Sequence, residues 1–286
     1  DRYLLSNNDI PPEALAKLDT GKAPRSSYLS SDASKIQVFV LFGLDGVDSS
    51  DSVMLVALDR VHQKIKLISL ARDSYVFIPE FASFSKLAYS YTWGGAAMAV
   101  KNLNYNYYLN VSDYIAVDFD QLAEIIDRIG GVTVNIDEDE ARYLSNYPNV
   151  RVGDCLLDGE TAVSYARIRK SSATDSDRKR TGRQREVILS ILNTLQTMPL
   201  SQYPGFVRDC LGMCATSFEA ETLLTMAAET LGQNYTVEQY FFPEGQVDWW
   251  AGLIKEYFYY VYDLRRASDR IYRIIYEELY ISGYDD

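Results

Sequence analysis

Short runs of consecutive apolar residues alternate along the chain with stretches in which apolar positions recur every third or fourth residue. The first pattern predicts buried strands and the second amphipathic helices. Ile36–Phe42 (IQVFVLF), closed by Gly43, reads as a fully buried strand, and Ser52–Leu58 (SVMLVAL) as a second. Lys64–Leu70 (KIKLISL) alternates strictly, as a half-exposed strand does, and Asp59–Gln63 before it reads as a hairpin turn. Gly94-Gly95 opens a predicted helix over Ala96–Leu103, and Tyr114–Phe119 is another strand. A helix follows around Gln121–Ile129. Gly130-Gly131 stops it, because glycine takes the left-handed conformation at a helix end without strain. Val132–Ile136 is the next strand, and Asp158 caps a short helix from Gly159 to about Tyr165. Towards the C-terminus the pattern predicts a helix over Glu219–Leu231, a strand over Val237–Phe242 and a helical Tyr-rich stretch from Asp248. The tyrosines there (Tyr257, Tyr259, Tyr260, Tyr262) read as packing against a sheet face rather than as a ligand box.

Helices alternating with buried strands give the α/β class: an α/β/α sandwich whose mixed central sheet carries helices on both faces, with extra C-terminal helices. Residues 1–35 mix Pro, Ser and charge and read as a loose N-terminal arm. Residues 36–245 form the domain, and 246–286 a Tyr-rich helical extension.

The segment Ala166–Arg185 changes this plain picture. It holds eight Lys or Arg against two Asp, in a chain of 286 residues whose net charge is −12. Most of these cations are Arg, whose planar fork matches phosphate oxygens and stays charged when partly buried. Downstream, Ile188, Ile191, Leu192 and Leu195 mark a buried helix face. Stepping that face back reaches Gln184 and Arg180, and Val187 steps back to Arg183. These side chains therefore extend the core-facing stripe. Inward charges need partners, and a bound anion is the simplest one.

Composition narrows the choice further. A chain with 47% hydrophobic residues buries one large core. Its acidic total argues against a general nucleic-acid coat. Cys155, Cys210 and Cys214 are an odd number with no framework. Cys210 and Cys214 have no histidine nearby, since His62 is the only one in the chain, and they read as buried thiols rather than a metal pair. No run of about 18 apolar residues spans a membrane. The first residue is Asp1 rather than Met, so the chain reads as a processed or truncated fragment.

Ligands of open α/β sheets bind beyond the carboxyl ends of strands. Asp45, with Asp48 and Asp51 in the same loop, follows the first strand, and Arg72-Asp73 follows the third. Arg167 and Arg169 share one face of an extended segment. Carboxylates and arginines so placed suit a divalent cation bridging carboxylate and phosphate, as Mg²⁺ does.

In order and spacing, these pieces resemble the LytR-CpsA-Psr family of bacterial cell envelopes. The resemblance runs from about Ile36 to Leu195. It covers LFGLD, SDSVMLVALD, KIKLISLARDSYVFIP, YIAVDFDQLAEIIDRIGGVTVNI, LDGETAVSYARIRK and the closing pattern of Asp177, Arg180, Arg183 and Gln184. It implies an α/β/α sandwich on the outer face of the cytoplasmic membrane, held by an N-terminal anchor that this fragment lacks. It also implies a Mg²⁺-dependent phosphotransferase that moves a teichoic acid, capsule or similar glycan from a polyprenyl-pyrophosphate carrier to peptidoglycan. Carried over to this sequence, Asp45 and Asp51 would ligate the metal, and Arg72, Lys86, Arg167, Arg169, Arg180, Arg183 and Gln184 would bind the pyrophosphate. Arg72 and Asp73 would serve catalysis, Asp73 as the base if Arg72 leaves it un-neutralised. No nucleic-acid partner is expected. A lipid-binding protein without turnover and an envelope-related regulator are the alternative readings. Two departures bear on rate: Ser50 stands where the family usually has Arg, and Ala88-Tyr89 replaces an Asn-His pair.

Overall fold

The computed structural model describes residues 4–18, 28–46, 50–169, 173–231, 235–245 and 247–283. They fall into two compact units. The first gathers Asp1–Phe42, Val47–Tyr114 and Thr236–Asp286; the second gathers Gly43–Gly46 and Ile115–Tyr235. The α/β class with a mixed sheet is the one observed.

In the first unit, neighbouring strands run Ile36–Leu44, Ser50–Asp59, Lys64–Leu70, Thr236–Phe242. Ser50–Asp59 and Lys64–Leu70 are antiparallel, with Val53 opposite Leu70 and Asp59 opposite Lys64. Thr236–Phe242 adds in parallel, Thr236 beside Lys64 and Phe242 beside Leu70. The third strand is not half-exposed as its alternation predicts: from Ile65 to Leu70 every residue is buried. The helix Leu264–Tyr276 packs against it and covers the polar face.

Lys66, fully buried on that face, finds its partners there. Its ammonium donates to Asp59 Oδ2 at 2.9 Å and to the Ile275 carbonyl at 2.8 Å, and pairs with Glu277 Oε1 at 2.8 Å. A cation under a helix C-terminus is also favoured by the helix dipole.

Two further sequence expectations are corrected in this unit. The tyrosine-rich tail does not begin as a helix. It begins as an antiparallel hairpin of Trp249–Ile254 with Tyr257–Tyr262, and the helix starts only at Leu264. Aromatic and β-branched residues at almost every position favour a pleated strand. Nor are residues 1–35 loose throughout. Leu5, Ile10 and Ala14 are buried with Tyr75, Ile254, Tyr259 and Val261, and Leu5 exchanges backbone hydrogen bonds with Phe84 at 2.8 and 3.0 Å.

Helical residues run from Tyr89 to Tyr107, so a short helix precedes the one predicted over Ala96–Leu103, and that one ends later than predicted. Gly94 and Gly95 have non-helical dihedrals, Gly95 at φ 63, and divide this run into two helices, the second of which opens after them as predicted.

In the second unit, Tyr114–Asp118 pairs with Ala215–Thr216 and Val132–Ile136 pairs with Gly153–Leu157, both antiparallel. Asp118 closes a capping box on Phe119–Arg128, and Gly130 and Gly131, at φ 83 and 101, end that turn as predicted. Asp158 caps Gly159–Ala166 by accepting from the Thr161 amide at 2.9 Å. The long helix Ala173–Gln196 lays Val187 into a core with Ile126, Val134, Leu157, Tyr165 and Ile168.

The polar contacts between the sheet and the tail carry a pH signature. His62 Nδ1 lies 2.6 Å from Asp59 Oδ2, and its Nε2 lies 3.0 Å from Glu278 Oε1. Burial alone would push the imidazole down, but hydrogen bonds to Asp59 and Glu278 outweigh it and raise the pKa above 6.5. Burial likewise raises Asp59 and Glu277, but their bonds to lysine (and, for Asp59, to His62) outweigh it and lower both carboxyls. A raised histidine stabilises below its unfolded value and loses that contribution as pH rises through the folded one. The lowered carboxyls lose theirs on acidification, below ordinary values of 3.8 and 4.5. Urea unfolding should therefore show the contribution of this network falling as pH rises past 6.5. In His62→Gln that fall should be absent; an identical pH profile for parent and variant would contradict the assignment.

Candidate functional site

The turn after the strand Lys64–Leu70 is gripped through its main chain on several sides. The Ala71 amide donates to the Phe242 carbonyl at 2.8 Å, and the Ala88 and Leu87 amides donate to the Arg72 and Ser74 carbonyls, each at 3.0 Å. The Tyr260 amide donates to the Asp73 carbonyl at 3.0 Å. Beneath the turn, Ser74 Oγ donates to the Ala71 carbonyl at 2.7 Å and meets Tyr262 Oη at 2.8 Å, which meets Tyr107 Oη at 2.6 Å. Burial pushes Tyr107 up to about 12 and Tyr262 well above its ordinary value, so both phenols stay protonated.

On this frame four of the predicted site residues come together. The ladder ends with Val53 opposite Leu70, and two residues further along stand Asp51 on one strand and Arg72 just past the other. Arg72 Nη1 donates to Asp51 Oδ1. Arg72 Nε lies 3.7 Å from Asp73 Oδ2, and Lys86 Nζ lies 2.7 Å from Asp73 Oδ1. The side chains are 21% (Arg72), 11% (Asp51), 13% (Asp73) and 12% (Lys86) exposed, so the charges alternate in a largely desolvated row. Each oxygen of Asp73 faces a cation. That arrangement suits a carboxylate that orients Arg72 and Lys86 better than one that accepts a proton.

Lys86 has further neighbours that sequence reasoning missed. Its ammonium stands over the rings of Tyr257, at 5.9 Å, and Tyr259, at 5.4 Å. The tyrosine density was legible, but its use was not.

The other predicted cations lie in the second unit. Arg167 and Arg169 are exposed on either side of buried Ile168, which keeps them on one face. Arg167 stacks over Phe119 at 4.5 Å. Arg180 and Arg183 turn inward as predicted, 1% and 5% exposed. Their counter-charges come from the protein: Arg180 Nη2 donates to Asp177 Oδ1, and Arg183 Nε donates to Glu140 Oε1 at 2.6 Å. Arg183 also donates to the Ile168 carbonyl at 3.2 Å. Gln184 Oε1 is buried and accepts no hydrogen bond among the described residues.

Asp45 is half-buried within Gly43–Gly46, while Asp51 starts the strand Ser50–Asp59 instead of lying in the loop. Asp48 lies outside the described residues. Asp45 and Asp51 belong to different units, and each carboxylate offers the hard oxygen donors that Mg²⁺ takes together with phosphates. Among the described residues, Asp59, His62 and Glu277 bring three ligand atoms within 4.8 Å of one another. The Lys66 ammonium already bridges Asp59 and Glu277 there, which disfavours a second cation.

Ser50 is 1% exposed, and its hydroxyl donates to the Ser52 carbonyl at 2.8 Å. The position is packed rather than open, so Ser50→Arg should overpack the strand start and cost about 1–3 kcal/mol. Thermal unfolding measures this; an unshifted midpoint would show that the arginine finds room. Cys210 and Cys214 are half-buried thiols, and burial raises them to about 12 and about 11, as inert sulfhydryls require. Among the described residues, no helix is long and apolar enough to cross a membrane.

Comparison with known proteins gives this geometry a context. The chain is 29% identical over 166 residues to the polyisoprenyl-teichoic acid–peptidoglycan teichoic acid transferase TagU of Enterococcus faecalis, covering 56% of this chain and 54% of that one. It is 28% identical over 230 residues to the protein of the same name from Oceanobacillus iheyensis, covering 77% and 69%. The match thus spans about half of the first relative's length and somewhat more of the second's. Among solved structures, Bacillus subtilis TagT superposes with a TM-score of 0.69 at 19% identity, over 91% of this chain and 99% of that one. TagT bound to LIIa-WTA gives 0.69 at 20%, over 92% and 97%. These structural likenesses establish the fold. The model of the LytR_cpsA_psr family matches residues 14–272, nearly the whole chain. The chain belongs to the LytR-CpsA-Psr family.

Proposed function

We propose that the protein transfers a glycopolymer with its phosphate from a polyprenyl-pyrophosphate carrier to peptidoglycan, outside the cytoplasmic membrane. The observation that carries the reading is the pair of cations Arg72 and Lys86. Asp51 and Asp73 hold them in a largely desolvated row, on a turn secured through its main chain. Relatives named as teichoic acid transferases supply the substrate class.

Phosphoryl transfer asks a protein mainly for positioning and for charge stabilisation. In the proposed step, an acceptor hydroxyl oxygen attacks the glycan-side phosphorus. The new P–O bond forms there, and the bond from that phosphorus to the bridging oxygen breaks. Its electrons leave with the polyprenyl phosphate, and the hydroxyl proton passes to solvent. Arg72 and Lys86 face the non-bridging and leaving oxygens, where negative charge grows. Asp73 orients both cations. In the second unit, Arg167 and Arg169, exposed on one face, and the inward Arg180, Arg183 and Gln184 are further candidates for binding the anion. By the family resemblance, Asp45 and Asp51, one in each unit, are the residues that would hold Mg²⁺, which when bound would offset charge on the pyrophosphate oxygens.

Incubation with a polyprenyl-pyrophosphate-linked glycan and a peptidoglycan fragment tests the reading. The expected result is free polyprenyl phosphate and a glycan joined to the fragment by a phosphodiester. Lipid that binds but is never turned over would replace transfer with carriage. By calorimetry, Mg²⁺ should bind tightly only when pyrophosphate is present, because two carboxylates leave the shell incomplete. Tight binding to the ligand-free protein, unchanged by pyrophosphate, would remove the shared site.

A further inference from the structure

We propose that Tyr257 and Tyr259 are positioning residues for Lys86, and that they act through their ring faces. The Lys86 ammonium lies 5.4 Å from the Tyr259 centroid and 5.9 Å from that of Tyr257, while its hydrogen-bonding reach goes to Asp73 at 2.7 Å. The rings thus form a shelf on the hairpin strand Tyr257–Tyr262.

That shelf is built into the same fold as the lysine. Lys86 lies opposite Tyr75 in the pairing of Ser83–Lys86 with Tyr75–Ile78. The Tyr75 ring meets Tyr259 edge-on at 5.9 Å and stacks on Phe84 at 4.8 Å. Tyr259 is fully buried, so its ring has little freedom to turn away. Its buried hydroxyl lies beside Ser85, while the Lys86 ammonium stands over the ring. What Tyr259 offers the lysine is therefore its face.

The chemistry explains why a face is useful here. A carboxylate that fixes a lysine also cancels its charge. An aromatic quadrupole attracts the cation without cancelling it. When an anion arrives and competes with Asp73, the rings still hold the flexible lysine stem, and the full positive charge remains for the ligand. The inference rests on the pyrophosphate role of Lys86, but its primary test does not require that role.

The rate at which a water-soluble N-hydroxysuccinimide ester acylates Lys86, read by peptide mass spectrometry at fixed pH, reports how firmly the ammonium is held. Exposed Lys101 in the same sample is the reference. Tyr259→Leu and Tyr257→Leu should each speed acylation of Lys86 relative to Lys101, roughly two- to thirtyfold. The conservative variant Tyr259→Phe should react like the parent. Half-buried Tyr257 decides the matter if Tyr259→Leu fails to fold. Unchanged acylation in Tyr257→Leu, or Tyr259→Phe reacting as fast as Tyr259→Leu, overturns the inference. Inorganic pyrophosphate affinity forms the second arm and should weaken in step with acylation. Faster acylation at unchanged affinity would uphold the shelf and instead take Lys86 out of the pyrophosphate site.

Discussion

Replacing Lys66 by alanine should destabilise the protein by about 3–5 kcal/mol, the usual cost of removing one partner from a buried ion pair. Asp59, fully buried, would lose its 2.9 Å contact, and Glu277 and the Ile275 carbonyl would lose theirs. Asp59 would keep His62 and Glu277 would keep Lys64, but a buried carboxylate and a helix-end carbonyl would lose the donor they share. Lys66→Met keeps the stem but not the charge and should recover only the packing share. The double variant Lys66→Met with Asp59→Leu should recover more, because buried ion pairs are replaceable by packed apolar groups. Chemical denaturation of the three variants checks the series. A Lys66→Ala variant within about 1 kcal/mol of the parent would mean that water reaches the site and relieves the charges.

Arg72→Ala should reduce turnover about a hundred- to a thousandfold, the range seen when a preorganised donor to a developing charge is removed. Asp51, 11% exposed, would also lose its guanidinium, so a moderate loss of stability should accompany the loss of rate. The two effects separate in Arg72→Lys. A lysine restores a positive charge, and with it most of the stability, but not the planar fork that bonds a phosphate and a carboxylate together. Its turnover should stay well below that of the parent. Steady-state rates and unfolding midpoints on the same preparations give both numbers. Parental turnover in Arg72→Ala would exclude this residue from the reaction.

Local signals were legible in the sequence, and long-range ones were not. Lys64–Leu70 and Val132–Ile136 are found with the predicted limits, and Asp158 caps the helix it was expected to cap. Such features depend on neighbours within a few residues. The partners of the inward arginines came less readily: Glu140 is 43 residues from Arg183, and nothing in a helical repeat points to it. Burial of Lys66 depends on Ile275, 209 residues away. The alternation of Lys64 to Leu67 reported a polar edge to this strand but could not report what covers it. Of the candidate site, position at strand ends and in the loop after the first strand identified Arg72, Asp73 and Asp51, and the family motif added Lys86. The tyrosine shelf depends on a hairpin misread as helix, although its aromatic run carried a strand signal.

The turn bearing Arg72 and Asp73 is held by amides and carbonyls of Phe242, Leu87, Ala88 and Tyr260 rather than by their side chains. Every residue except proline supplies the same amide and carbonyl. The surrounding positions can therefore drift to other side chains while the two functional residues keep their places. A fold preserved at 19% identity is what such a design permits. Proline is the exception at positions 71, 87, 88 and 260, where it would delete a donor amide. Evolutionary freedom around this turn is thus limited by one missing hydrogen atom more than by the shape of any side chain.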